Sequence, residues 1–214
     1  MQHVPTILDH GLEFVGGDLS TDFTNTRSGR YEEAPGHEHI QRYADLVEFT
    51  RQAGFLTTAE AKGLLAEAER RTEKATQIHR RSVALREAIW RAFANIAKAE
   101  RPAAEDVELI GAEAADAMSN ARVQRAADRF EWRWAETDDL ARPLWPIARA
   151  ASDLLTSDHD RELLRECSDD TCAWLFVDRT KNHSRRWCDM NTCGSRNKVR
   201  EFRQRQKLVA RKAR

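Results

Sequence analysis

No stretch of this chain approaches the roughly 20 consecutive apolar residues that a helix needs to cross a bilayer, so a helical membrane protein is excluded. Proline and glycine are scarce, 5 and 9 of 214 residues, which excludes collagen-like or linker-rich architecture. With 33% charged and 41% hydrophobic residues, the composition is that of a helix-rich protein with a real core. The opening Met1-Gln2-His3-Val4-Pro5 has neither the basic nor the apolar region of a signal peptide, so the expected location is the cytoplasm. There is no phosphate-binding glycine loop, catalytic dyad or cofactor fingerprint, and an enzyme is not expected. Cysteine is missing from the first 166 residues.

All the cysteine is in the last quarter, as two spaced pairs: Cys167-x4-Cys172 and Cys188-x4-Cys193. In a reducing compartment such pairs are metal ligands before they are disulfides. Zinc takes four tetrahedral thiolates, and a short spacing lets one backbone turn aim two of them at one ion. Four intervening residues fall within the usual range, although two are commoner. A thiol switch that releases the metal by disulfide formation is the alternative. Between the pairs, Ala173 to Asp178 is rich in strand formers, Thr180 to Ser184 supplies a turn, and Arg185-Arg186-Trp187 returns to Cys188. The spacing predicts a hairpin between the pairs, with Trp174 and Trp187 covering the metal. The second pair sits before a helix predicted over about 196–210, whose N-terminus favours thiolates. Hairpin plus helix around four cysteines describes a treble-clef-like finger with one structural zinc ion. His183, in the turn, reads as a solvated residue, and His37-x-His39 as a loop pair without a ligand frame.

Zero net charge hides a division. Residues 167–214 carry 13 Lys+Arg against 5 Asp+Glu, and residues 1–166 carry 22 against 30. One-signed basic runs meet phosphates. The candidate nucleic-acid contacts are Arg185, Arg186, Arg196, Lys198, Arg200, Arg203, Arg205 and Lys207, with DNA as the expected partner. Val199, Phe202 and Gln206 form the helix's narrow inner stripe. The other readings are a solvated charged face, a tail paired with the acidic body, and a finger that docks protein or RNA.

Upstream, the period is helical. Ile40, Ala44 and Val47 open a helix that Gly54 stops. Thr57-x-x-Glu60 is a capping box. A long helix follows over about 72–99, with a buried stripe of Ile78, Ser82, Leu85, Ile89, Phe93 and Ile96. After Pro102, Val107, Ile110, Ala114 and Met118 mark another. The period then switches to two. Val123-x-Arg125-x-Ala127 and Phe130-x-Trp132-x-Trp134 predict a β-hairpin turning near Asp128-Arg129; its aromatics read as core or interface packing. Thr137-Asp138-Asp139 can cap a last helix to about Leu155, with Pro146 implying a kink or restart. The fold class is mainly α with a small β-hairpin, in two parts: residues 1–160, and the finger over 161–214.

The stretch Trp187-Cys188-Asp189-Met190-Asn191-Thr192-Cys193-Gly194-Ser195-Arg196-Asn197-Lys198-Val199 resembles the signature of bacterial CGNR zinc-finger proteins. Ser195 replaces the motif's Asn; both are good N-caps. Phe14-Val15-Gly16-Gly17-Asp18 through Thr26, and Leu140-Ala141-Arg142-Pro143-Leu144-Trp145-Pro146-Ile147-Ala148-Arg149, resemble the ABATE-type domain that precedes this finger. The resemblance implies a stress-related transcription regulator: a helical sensing or assembly domain followed by a DNA-binding finger. Asp22, Asn25 and Arg27 are then candidates, with Arg142, Trp145 and Arg149, for lining the pocket of a small-molecule effector. A buried polar network that fixes the motif is the preferred alternative. A dimer would suit a DNA reader, but the sequence shows no diagnostic interface.

Overall fold

The structure, a computed structural model, describes residues 12–31 and 36–212, with side chains to residue 206 in the last helix. The elements run α1 (Leu19–Thr24), α2 (Tyr43–Gln52), α3 (Thr58–Arg70), α4 (Thr72–Ala97), α5 (Ala104–Ser119), β1 (Ala121–Ala126), β2 (Arg129–Trp134), α6 (Leu144–Thr156), α7 (Asp158–Glu162), β3 (Leu164–Glu166), β4 (Leu175–Val177) and α8 (Ser195–Lys212). The fold is mainly helical with two small antiparallel sheets. No described helix is long and apolar enough to cross a membrane.

Local signals place most of these elements. Gly54 takes φ +83 and ends α2. Thr57 and Glu60 close the capping box of α3, Glu60 N–H donating to Thr57 Oγ1 at 3.2 Å and Thr57 N–H to Glu60 Oε2 at 2.7 Å. Along α4, Ile78, Ser82, Leu85, Ile89 and Phe93 are buried as predicted, while Ile96 is only partly buried. In α5 the inner face is rotated: Asp106, Ile110, Glu113, Ala114 and Ala117 are buried, while Val107 is exposed. Arg91 and Arg81 on α4 draw the acids inward, binding Asp106 and Glu113 at 2.5 Å each. The β1–β2 hairpin turns at Ala127-Asp128, one residue before the expected place. Helix α6 starts at Leu144 rather than near Asp139, so Pro146 falls in its first turn, where a missing N–H costs nothing.

One element has no signal in hydrophobic periodicity. Every residue of α1 is buried, including Ser20, Thr21, Asp22 and Thr24. The short helix survives burial because its polar groups are bonded locally. Asp18 caps Ser20 N–H at 2.9 Å, Thr21 Oγ1 donates to Asp18 O at 2.9 Å, and Thr24 Oγ1 to Thr21 O at 2.8 Å.

The main core is continuous across the two sequence blocks. Leu163, Leu164, Leu175 and Val177 of the finger pack in one cluster with Phe23, Ile89, Phe93, Ile147 and Leu154 of the helices. Asn25 cements the joint. Its amide donates to Leu175 O and its Oδ1 accepts from Leu175 N–H, both at 2.9 Å, so the side chain acts as one residue of a neighbouring strand. Gly16 O accepts from Val177 N–H at 2.7 Å beside it. A Cβ on Gly16 would lie 2.4 Å from Thr21 Oγ1 and 3.0 Å from Asp22 N, so only glycine fits there.

Candidate metal centre and basic helix

Strand β4 pairs with β3, upstream of the first cysteine, not with the segment returning to Cys188 as the sequence predicted. The hairpin therefore carries the first pair at its tip: Cys167 follows β3, and Cys172 precedes β4. The reason lies in the return segment. Asp178, fully buried, accepts Thr180 N–H at 3.0 Å, Thr180 Oγ1–H at 2.6 Å and Arg185 N–H at 2.8 Å. This Asx knot folds residues 178–185 into a compact loop and denies them a strand ladder. His183 sits in the loop, bonded through Nδ1 to Asp178 O at 2.8 Å, and is no ligand.

The second pair is held by a cap. Asp189 Oδ1 accepts Asn191 N–H and Thr192 N–H, both at 2.8 Å, and a π-helical turn over Met190–Gly194 delivers Cys193 to the start of α8. All four sulfurs lie within 4.8 Å of one another, and no other such group of possible metal ligands occurs among the described residues. Cys172–Cys188 and Cys188–Cys193 are 3.6 Å apart. A tetrahedron with zinc–sulfur bonds of about 2.3 Å places its sulfurs about 3.8 Å apart, whereas a disulfide needs about 2.05 Å. The donor set and spacing thus fit one zinc ion, and four thiolates complete its coordination as a structural site. Val15, Trp174 and Trp187 pack around the cluster and shield it, as expected for the two tryptophans. Thiol hydrogen bonds from Cys167, then Cys172 and Cys188, with Arg196 adding, hold Cys193 far below the ordinary thiol range. Hydrogen bonding to Cys167 first, then the other neighbouring sulfurs and burial, push Cys188 far up, and Cys167 likewise raises Cys172.

The two knuckles are tied together by Asp169, a residue that neither cysteine spacing nor charge marks out. Its side chain is wholly buried. It accepts Thr171 N–H at 3.2 Å and Thr171 Oγ1–H at 2.9 Å on one oxygen; the other receives Arg196 Nε–H at 3.0 Å and Asn197 Nδ2–H at 2.7 Å. Burial pushes its carboxyl up, but the Thr171 bonds and the Arg196 charge outweigh it and hold it below the usual range. Asp-x-Thr, at 169–171 and again at 178–180, was the legible signal: an Asx turn reinforced by the hydroxyl. The extra length of the first pair's spacing accommodates this inward Asp.

The predicted nucleic-acid residues divide accordingly. Arg185 is internal: its Nη2 donates to Val15 O at 2.8 Å and to Cys188 O, its Nε to Trp187 O at 2.9 Å, and its guanidinium lies 4.3 Å over Phe176. Arg196 is spent on Asp169 and on Cys193 Sγ, 3.1 Å away, so it tunes the metal ligand. Both guanidiniums bond within the module, Arg185 from the inside and Arg196 with half of its side chain still exposed. Arg200 pairs with Asp170 at 3.1 Å, and Arg205 lies 3.7 Å from Glu201. Arg186, Lys198, Arg203 and Arg205 are exposed. The side chain of Lys207 lies outside the described residues. Past Arg200, every described side chain of α8 faces solvent, including Phe202 at 61%, and Val199 is 49% exposed. The expected inner stripe is therefore uncovered, because the described side chains of α8 hold to the module only as far as Arg200, after which the helix leaves it.

The six candidate pocket residues do not converge. Asp22 accepts Gly16 N–H at 2.7 Å, and Asn25 clamps Leu175. Arg27 is exposed near Glu87, 3.7 Å away. Trp145 is core, its ring tilted at 42° to that of Trp134 with centroids 6.1 Å apart. Arg149 lies 4.9 Å over Trp132 and bonds Asp153. Arg142 lines an open groove, and Asp22 and Asn25 border a narrow crevice elsewhere. Asp22 and Asn25 belong instead to a buried polar network that fixes the motif.

Burial raises the Asp22 carboxyl to about 8. The folded chain thus holds a proton that the unfolded chain has lost, so stability should fall as pH rises from about 4 to about 8, by at most about 1.4 kcal/mol per pH unit. Urea unfolding of wild type and Asp22→Asn across this window checks it; the variant should show the shallower decline.

A helical domain sharing its core with a four-cysteine finger and a projecting basic helix defines a class: a zinc-finger protein with a helical N-terminal domain. Residues 17–158 match the ABATE family model, “Putative stress-induced transcription regulator”, and residues 164–206 match the CGNR zinc finger. The chain belongs to the ABATE family. None of the curated proteins compared matches it.

Proposed function

We propose that the protein is a DNA-binding transcription regulator of the cytoplasm, not an enzyme, whose N-terminal domain takes a small-molecule effector. The observation that carries the reading is the α8 helix: zinc and Asp169 fix its first turn, and its exposed Lys198, Arg203 and Arg205 then stand clear of the body. A cationic helix held at one end suits insertion along a polyanion, where most affinity comes from phosphate contacts. Four free, clustered thiols suit a reducing compartment, and a metal whose four positions are filled has no open site for catalysis.

Binding of the zinc-loaded chain to duplex DNA across a salt series tests this. About 4–6 phosphate contacts predict a log–log slope near −4 to −5. Lys198→Glu/Arg203→Glu/Arg205→Glu should cost at least about a hundredfold in affinity and flatten the slope. Arg196→Ala is the wrong probe, since it disturbs the metal centre. Equal affinity and slope for wild type and the triple variant would refute the reading. The exposed Phe202, Val199 and Met190 favour a second one, in which α8 docks protein or RNA; tighter binding to single-stranded RNA, or retention of a protein partner that the Phe202→Ala chain loses, would select it.

A further inference from the structure

The β1–β2 hairpin and the α2–α3 corner enclose a groove of about 580 Å3. Its walls are of two kinds. Phe55, 43% exposed, stands on the corner, and half-buried Trp134 stands at the base of the hairpin. Between them come Arg122 from β1, Arg133 from β2 and Arg142 from the turn before α6.

The arginines are not equally committed. Arg133 is matched by Glu131, at 2.6 Å. Arg122 bonds backbone carbonyls, Ala121 O at 2.7 Å and Ser119 O at 3.1 Å, and makes no ion pair among the described residues, with Glu136 also lining the groove. Arg142 is 8% exposed; it donates from Nη2 to Glu60, while its Nε is buried without a partner. Glu60 has little to spare, because its other oxygen caps Thr57 N–H. An under-bonded buried guanidinium is costly, and here it lines the same groove as an arginine without an ion pair.

We infer that this groove binds a small monoanion with an apolar body, a carboxylic acid carrying an aromatic ring or a branched alkyl group. The carboxylate would answer Arg122 and Arg142, and the apolar body would lie on Phe55 and Trp134. The inference deepens the effector reading above and rests on it. Its residues lie apart from α8 and the cysteines.

The test is calorimetric titration of the zinc-loaded full chain, without DNA, with benzoate, phenylacetate, cyclohexanecarboxylate and 3-methylbutanoate, each beside its neutral amide. At least one acid should bind one per chain with Kd below about 1 mM, the weight expected of a ligand of this size. Its amide should bind at least about tenfold more weakly, as loss of a charge-assisted bond requires. Phe55→Ala and Arg122→Gln, on the surface, should each weaken binding about five- to tenfold, and Arg149→Gln should leave it unchanged. No acid binding below 1 mM, equal binding of acid and amide, or wild-type affinity in both Phe55→Ala and Arg122→Gln overturns the inference. DNA binding is read separately by the salt series, so either result can fail while the other holds.

Discussion

Zinc removal should unfold the finger and weaken the whole chain. Metal analysis of protein purified under reducing conditions should give one zinc per chain, and Cys188→Ala or Cys193→Ala should give none. Structural zinc is worth on the order of 10–16 kcal/mol in small fingers, as large as the total stability of an ordinary domain. Residues 164–206 should then lose amide protection. The effect reaches further here because β4 belongs to the main core. Leu175 and Val177 pack with the helices, and Asn25 and Gly16 bond β4 directly. The helical domain should therefore unfold at lower temperature without zinc, with raised exchange around α1. Substoichiometric zinc, or unchanged exchange in Cys188→Ala, would contradict the four-thiolate centre.

The second large effect is at Arg86. Its side chain, 1% exposed, donates to both oxygens of Glu38 at 2.6 Å, to Thr26 Oγ1 at 3.1 Å, and from Nε to Glu87 at 3.1 Å. The pair fastens the segment before α2 onto α4, where Arg27 and Glu38 also bridge. Breaking a buried pair by removing one partner costs about 3–5 kcal/mol. Glu38 is one-third exposed and can regain water, so Arg86→Met should cost about 3 kcal/mol, the low end of that range. For a chain of this size that lowers Tm by roughly 6–12 °C. Glu38→Gln should cost less, and the double variant should cost less than the sum of the two singles. Thermal and urea unfolding of the three variants measures this; an Arg86→Met chain within 0.5 kcal/mol of wild type would remove the pair from the account.

What could be read from residue order was whatever rests on local chemistry. The cysteine spacing led to the metal site, the Thr57–Glu60 box to the start of α3, and the switch from period 3.6 to 2 to the β1–β2 hairpin. What could not be read depends on partners distant in the chain. Asn25 meets Leu175 across 150 residues, and no local rule marks it as a strand surrogate. Arg86 lies beside the apolar stripe of α4 and reads as a surface cation until Glu38 and Glu87 surround it. The β4 partner was misassigned because strand propensity does not name a neighbour; the Asp178 knot decided it. Arg185 and Arg196 read as basic-tail charges, yet both bond within the metal module, and the positive charge left unpaired there is carried by Arg186, Lys198 and Arg203.

The central claim is that a zinc-fixed basic helix reads duplex DNA. Random-library duplex selection with the zinc-loaded chain tests it most directly. The account predicts enrichment of a defined motif that disappears for the Lys198→Glu/Arg203→Glu/Arg205→Glu chain while its zinc content stays at one per chain. An unenriched library, or the same motif recovered with the triple variant, would contradict it.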